Sequence, residues 1–320
     1  MATALDGYDI IGDLHGQIGP LQALLKRLGY SGQVDGGWHY PAGRRQAVFV
    51  GDFVDRNPHA LEVIAVVRQM VEAGEALAVM GNHEFNALAW HTADPQAPDT
   101  YLRRHSERNR VQHAAFLQEA ERDPEGYAAA LDWFRKLPMW LDLGMLRVAH
   151  ATWLPDSLRA LQALRDADGR WSNGFLVRAS RHDDAAFDAV EATLKGLEVD
   201  LPAGVSYLDN DGRQRYRTRL RWWLHEPPAT LRGALMAGPA ALQQVGDAAW
   251  TAPWPAECGY PADAPPVFCG HYWLDGPCAP LAENVACVDY SAAHPGNKLV
   301  AYRWNGESRL SAAGFVAVRT

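Results

Sequence analysis

The chain has 320 residues, 48% hydrophobic and 21% charged, with a formal net charge of -8 and a pI near 5.8. That is the composition of a globular protein with a sizeable core, and it excludes disordered and fibrous classes. The acidic balance argues against a surface that grips nucleic acid nonspecifically, while a small anionic substrate stays open because bound cations reverse the sign locally.

The first residues, MATALDGYDIIGDLHG, carry no basic leader and no long apolar run, so no secretory signal is expected. No stretch reaches the roughly 18 apolar residues of a spanning helix, and no membrane partner is expected. The cysteines, Cys258, Cys269, Cys278 and Cys287, form no C-x-x-C pair. They read as free thiols in a cytoplasmic chain.

Residues 8–12 predict a first strand, ending in GDLHG. Asp13 and His15 stand two apart, a spacing that in extended backbone projects both to one face and suits two ligands of one metal. Leu21, Leu24, Leu25 and Leu28 repeat at helical spacing, with Gly29 as a stop. A glycine-rich loop over 32–43 leads to an apolar strand over 47–50 and the motif VFVGDFVDR (48–56). A helix is predicted over 58–73, with Leu61, Ile64, Ala65 and Val67 on one side, then a strand over 76–80 that delivers GNHE (81–84). This alternation argues for parallel strands with helices on their faces and a polar cluster at each strand end.

Residues 85–141 read as a mainly helical insertion, broken at 94–99 by two prolines. Within it, YLRRHSERNRVQH (101–113) presents Arg103, Arg104, Arg108 and Arg110, either as a solvated face or as an approach for an anion. Short strands over 146–149 and 266–269 deliver His150 and His271. Between them, 151–265 reads as an insertion contributing to substrate specificity, with helices over 155–166 and 183–197. DNDG (209–212) suggests a tight turn, after which Arg213, Arg215, Arg217, Arg219 and Arg221 alternate and would share one strand face. Such a face either resists aggregation by pairing with carboxylates or brings Arg219 or Arg221 to a phosphate. Trp222 and Trp223 read as core, or as an indole offered to a base. Residues 251–266 suggest an irregular loop, and 285–290, 298–304 and 315–318 suggest closing strands. There is no internal repeat, and 1–320 reads as a single domain.

The strand ends together offer Asp13, His15, Asp52, Asn82, His150 and His271, with His83, Asp55 and Arg56 beside them. Carboxylates, imidazoles and a carboxamide without thiolates suit manganese, zinc or iron more than copper. Six candidates are too many for one tetrahedral site and suit two ions clamping the oxygens of an in-line displacement, with Asp52 as the bridge.

The set D-x-H, GD-x-x-DR, GNHE, a later strand-end histidine and a final GH resembles the calcineurin-like metallophosphoesterase superfamily. Within it, the branch of the Ser/Thr phosphoprotein phosphatases and diadenosine tetraphosphatases is the most similar. The resemblance implies a four-layer α/β/β/α sandwich with helical and irregular insertions. It also implies two divalent ions, manganese foremost, one held by Asp13, His15 and Asp52 and the other by Asp52, Asn82, His150 and His271. A hydroxide between the ions would attack phosphorus, His83 would protonate the leaving oxygen, Asp55 would orient His83, and Arg56 would bind a phosphate oxygen. The implied substrate is a phosphomonoester or nucleoside polyphosphate. A phosphoprotein is the alternative, and a catalytically silent binding module is the alternative from another class. Three positions depart from the pattern: Trp273 replaces the second histidine of G-H-x-H, Asn57 replaces a glycine, and HATW (150–153) replaces H-G-G or H-A-G.

Overall fold

The computed structural model describes residues 5–33, 37–208, 212 and 214–320. Two sheets carry the architecture. The first orders Phe315–Arg319, Lys298–Trp304, Gly7–Ile11, Arg45–Phe49 and Ala76–Ala78. Its last three strands run parallel, with Ile10 opposite Val48 and Val48 opposite Leu77, while Lys298–Trp304 runs antiparallel to Gly7–Ile11. The second orders Val285–Cys287, Val267–Cys269, Arg147–Ala149 and Trp140–Asp142, parallel except at Trp140–Asp142.

Neighbouring residues on a strand face opposite sides, and in Arg45–Phe49, Val267–Cys269 and Val285–Cys287 both sides are largely buried, which is why the sequence there reads as apolar runs. Ile10, Val48, Val148, Phe268 and Ala286 fill the space between the sheets. Ile11 and Phe49 face outward, against Leu21, Leu24 and Leu25 of the helix Ile18–Arg27 and Val63, Val67 and Met70 of the helix Ala60–Glu72. On the far side of the second sheet, Val267, Cys269 and Val285 pack with Trp153, Leu158, Trp222 and Trp223. The layers run helix, sheet, sheet, helix and loop, each fully buried leucine or isoleucine contributing about 1.5 to 3 kcal/mol. No helix among the described residues is long and apolar enough to cross a membrane.

The departures from expectation are local. The loop over 32–43 contains a small hairpin, Ser31–Gln33 paired with Gly37–His39, which buries Trp38. In the helix Ala60–Glu72, Ala65 is exposed, and Val63 and Val66 face the core instead. The predicted helix over 101–113 begins only at Glu107, after an irregular stretch capped by the Ser106 side chain. The predicted helices over 155–166 and 183–197 are Pro155–Gln162 and Ala185–Lys195.

The arginine ladder is also broken. Tyr207–Leu208 pairs with Gln214–Arg215, whereas Arg217–Leu220 joins Glu198–Asp200 and Leu235–Met236 in another sheet. A bend at the exposed Tyr216 separates the two, so the arginines do not share one face of a continuous strand. Asp209, Asn210, Asp211 and Arg213 of the expected turn and ladder lie outside the described residues. Trp222 and Trp223 are core, so neither offers an indole to a base.

Candidate metal centre and active site

Parallel strands end on one side of their sheet, and the turns that follow them converge. Asp13, Asp52 and Asn82 follow the strands Gly7–Ile11, Arg45–Phe49 and Ala76–Ala78 of the first sheet. His150 and His271 follow Arg147–Ala149 and Val267–Cys269 of the second. The turns bend sharply: His15, Asp52, Asp55, Arg56, His271 and Trp273 all have φ between 42° and 70°. Left-handed backbone is costly for such side chains and persists where surrounding contacts overdetermine it. Two motif glycines have a direct steric reason. A Cβ at Gly81 would lie 2.2 Å from Asp52 Oδ1, and one at Gly270 would lie 2.1 Å from Asp13 Oδ1.

Asp52 is the centre. Its Oδ1 lies 3.3 Å from His150 Nε2, and its Oδ2 lies 3.6 Å from His15 Nε2 and 3.9 Å from His83 Nε2. Donor atoms of His15, Asp52 and His83 fall within 4.8 Å of one another, as do those of Asp52, His150 and His271. The two groups share Asp52. Asn82 Oδ1 joins the second, 2.7 Å from His271 Nδ1 and 3.1 Å from His150 Nε2. Asp13 accepts the backbone N–H of His271 at 3.1 Å.

The imidazoles are oriented as metal ligands are, one nitrogen held and the other presented. His15 Nδ1 donates to the Val54 carbonyl at 2.8 Å, and His150 Nδ1 donates to the Val50 carbonyl at 2.7 Å. His15 Nε2 and His271 Nε2 are buried without any hydrogen-bond partner. An orphaned buried nitrogen is costly, and His15 Nε2, 3.6 Å from Asp52 Oδ2, is suited to a divalent cation, as is His271 Nδ1 beside Asn82 Oδ1.

The electrostatics follow from the crowding. Burial opposes ionisation of Asp52, but His150, His83 and His15 outweigh it and hold its carboxyl well below the ordinary range. Burial, with Asp289 and Asp52 beside it, pushes Asp13 up. Burial and His83 push His15 down to about 4, and burial with Arg219 pushes His271 down. For His83, Asp52 and Asp55 overcome the burial penalty and raise it.

His83 Nδ1 donates to Asp55 Oδ2 at 2.5 Å, which leaves Nε2 facing the cluster. Arg56 is exposed, its guanidinium 4.6 Å above the centre of the Trp273 ring. Trp273 therefore supplies a platform for Arg56 where the sequence pattern had a second histidine. Asn57 Nδ2 donates to the Ala293 carbonyl at 3.1 Å and ties this turn to the end of the chain. At HATW, the Ala151 N–H donates to the Thr193 carbonyl at 3.0 Å, docking the turn on the helix Ala185–Lys195.

Of the two ladder arginines expected at a phosphate, Arg219 donates from Nε to the Lys195 carbonyl at 2.6 Å, and its charge bears on His271. Arg221 donates to the Leu235 carbonyl at 3.1 Å.

Three residues of the site carry no role in the sequence reading. Glu84 lies inside GNHE and is fully buried. Its Oε2 accepts the N–H groups of Asp52 and Gly81, both at 2.9 Å, and its Oε1 accepts that of Phe53 at 2.8 Å. Burial and Asp52 push it up to about 7, while both oxygens act only as acceptors, the arrangement a carboxylate satisfies. Asp289 ends a sixth converging strand, Val285–Cys287, and accepts the Trp273 N–H at 2.7 Å; burial pushes it up to about 6. The strand-end signal that found the others was present there too. His113 meets Asp55 from a distant helix, and no local pattern marks it.

A family model for calcineurin-like phosphoesterases matches residues 8–201. An asymmetrical bis(5'-nucleosyl)-tetraphosphatase, PrpE, of Halalkalibacterium halodurans is 49% identical over 76 residues, which are 24% of this chain and 30% of that protein. A symmetrical bis(5'-nucleosyl)-tetraphosphatase of Vibrio cholerae is 30% identical over 196 residues, 59% of this chain and 61% of that one. The chain thus spans less than two thirds of the length of either relative. A serine/threonine phosphatase structure from Saccharomyces cerevisiae aligns over 99% of this chain and 80% of its own, with TM-score 0.47 and 14% identity. With the family model covering more than half of its length, the chain belongs to the calcineurin-like phosphoesterases.

Proposed function

We propose that this chain is a two-metal hydrolase of nucleoside polyphosphates that also accepts phosphomonoesters. The observation that carries the reading is the pair of donor groups joined at Asp52, with His15 Nε2 buried and unpartnered 3.6 Å from its Oδ2. Asp13, His15 and Asp52 would hold one ion, and Asp52, Asn82, His150 and His271 the other, with manganese the expected metal. Bound there, the ions supply activation of the attacking water and neutralisation of charge on phosphorus.

The protein's own groups do the rest. Arg56 presents a planar fork matched to a phosphate oxygen pair, steadied on the Trp273 face. As the bond from phosphorus to the leaving oxygen breaks, that oxygen takes the electron pair and the proton of His83 Nε2. Asp55 fixes the ring that delivers it. Arg219, whose charge bears on His271, or Arg221 meets a further phosphate of the substrate; the Nε of each is held by a backbone carbonyl, so the contact would come from a terminal guanidinium nitrogen. The names of the tetraphosphatase relatives support a polyphosphate substrate. The segments 85–141 and 151–265 act as insertions on one domain, the second contributing to substrate selection. Four free cysteines support a cytoplasmic setting.

The test is a panel of dinucleoside tetraphosphate, nucleoside monophosphate and phosphopeptide, assayed with manganese-loaded protein. Preferred cleavage of the tetraphosphate is expected, with two ions per chain by metal analysis. His83→Asn retains both ions and loses about 10² to 10⁴ in rate, the range of a general acid. Two bound ions with no hydrolysis of any panel member would remove the reading.

A further inference from the structure

Asp55 is buried, and its two oxygens serve two histidines. Oδ2 accepts from His83 Nδ1 at 2.5 Å, and Oδ1 accepts from His113 Nδ1 at 2.6 Å. The chain of contacts continues: His113 Nε2 lies 3.3 Å from the Tyr127 hydroxyl, which lies 2.6 Å from His91 Nε2. The helix Asn82–His91 carries His83 in its first turn and His91 at its last residue. His113 comes from Glu107–Arg122 and Tyr127 from Pro124–Phe134, so three helices close a ring of contacts around Asp55.

One assignment of protons satisfies every member. His91 Nε2–H donates to the Tyr127 oxygen, Tyr127 O–H to His113 Nε2, His113 Nδ1–H to Asp55 Oδ1, and His83 Nδ1–H to Asp55 Oδ2. His91 and His113 are then neutral, and Asp55 is ionised. His113 is 3% exposed and wedged between Trp90 and Phe116, with ring centres 5.6 Å from each, so it has no freedom to leave Asp55.

We infer that His113 is a positioning residue for phosphoryl hydrolysis: it locks the plane of the Asp55 carboxylate, and through it the direction of His83 Nε2, with Tyr127 and His91 anchoring it from behind. A carboxylate bonded through one oxygen alone would pivot, and its other oxygen would be left buried and unsatisfied, which is costly. The inference rests on the reading of His83 as the proton donor. It assigns a use to a helix whose visible signal was a row of surface arginines.

The experiment compares manganese-loaded wild type, His113→Phe and His113→Asn on aryl phosphates with a poor leaving group (phenyl) and a good one (2,4-dinitrophenyl). A poor leaving group needs the proton, whereas a good one departs without it. His113→Phe should lower kcat on phenyl phosphate about 10-fold, a part of the ~10² to 10⁴ that loss of the acid itself costs. On the dinitrophenyl ester kcat should change less than about 2-fold, with KM and metal content unchanged. Asn places an amide N–H near the position of Nδ1, so His113→Asn should recover most of the loss. Equal losses on both esters, or no rescue by asparagine, would overturn the inference and leave His113 structural. Should His113→Phe not fold, Tyr127→Phe decides, supporting the inference with a smaller loss confined to phenyl phosphate and overturning it with losses equal on both. His83→Asn run beside them separates the premises: if it shows no leaving-group dependence, the role of His83 fails independently of His113.

Discussion

The turn 52–56 and the arginine-rich segment 214–221 are both short and strongly polar, and they hold their charge in opposite ways. In the turn, each carboxylate meets imidazoles from several elements: Asp52 faces His15, His83 and His150, and Asp55 faces His83 and His113. In the segment, arginines pair across to the adjacent strand, Arg217 with Asp200 at 2.9 Å and Arg219 with Glu198 at 3.7 Å. Where strand ends converge, one side chain collects partners from the whole fold; along a short strand it meets its cross-strand neighbours first. Concentrated and distributed charge follow from that difference in topology.

Asp52→Asn breaks the comparison most severely. Both donor groups lose their common carboxylate, so metal content should fall at both positions and hydrolysis by at least about 10⁴-fold, the upper range for a single acid–base group. Retention of two ions would show that the groups are not joined at Asp52.

Metal removal comes next. Each ion bound at 100 times its dissociation constant stabilises the fold by about 2.7 kcal/mol, so stripping should lower Tm. Hydrogen exchange should rise in the turn and stay unchanged in 214–221. The apoprotein also has a defined pH response. Burial raises Asp289 from 3.8 to about 6, so its proton is held more tightly folded than unfolded. That contribution is fully present below 3.8 and lost as pH rises through about 6, so the Tm of the apoprotein relative to Asp289→Asn apoprotein should fall across that interval. Added manganese should raise Tm more at the upper end of that interval than at the lower, since its ligands bind it deprotonated.

Arg56→Ala should lower kcat/KM about 10- to 100-fold, corresponding to the ~1.5 to 3 kcal/mol of a hydrogen bond to a charged group. Trp273→Leu should cost less, about 2- to 10-fold and mainly in KM, since the platform under Arg56 is an exposed cation–π contact. Arg217→Ala should leave hydrolysis unchanged and stability within about 1 kcal/mol, because its partner Asp200 is exposed. A large loss of activity there would overturn the contrast.

The same topological difference decides what was readable beforehand. Asp13, Asp52, Asn82, His150 and His271 follow apolar runs, so local pattern locates them, and the sheets bring them together. His113 is 58 positions from Asp55 and faces inward from a helix whose visible pattern is arginine and glutamate. Helical periodicity states which residues share a face, not which distant carboxylate that face meets. The ladder failed for the converse reason. Alternation implies a shared face only while the strand is continuous, and the backbone bends at Tyr216. Glu84 stood inside a motif already singled out, but its partners are backbone N–H groups, which side-chain pattern cannot display.

The left-handed backbone at the site has an evolutionary edge. At Arg56, with φ 69°, the conformation favours glycine while the chemistry requires a guanidinium. Selection for thermal tolerance alone would therefore drift toward glycine there, gaining about 1 kcal/mol of relieved backbone strain and discarding the substrate clamp. A library screened only for survival of heating should be enriched in folded, poorly active Arg56→Gly clones, and their frequency would measure how much conformational tension this turn stores.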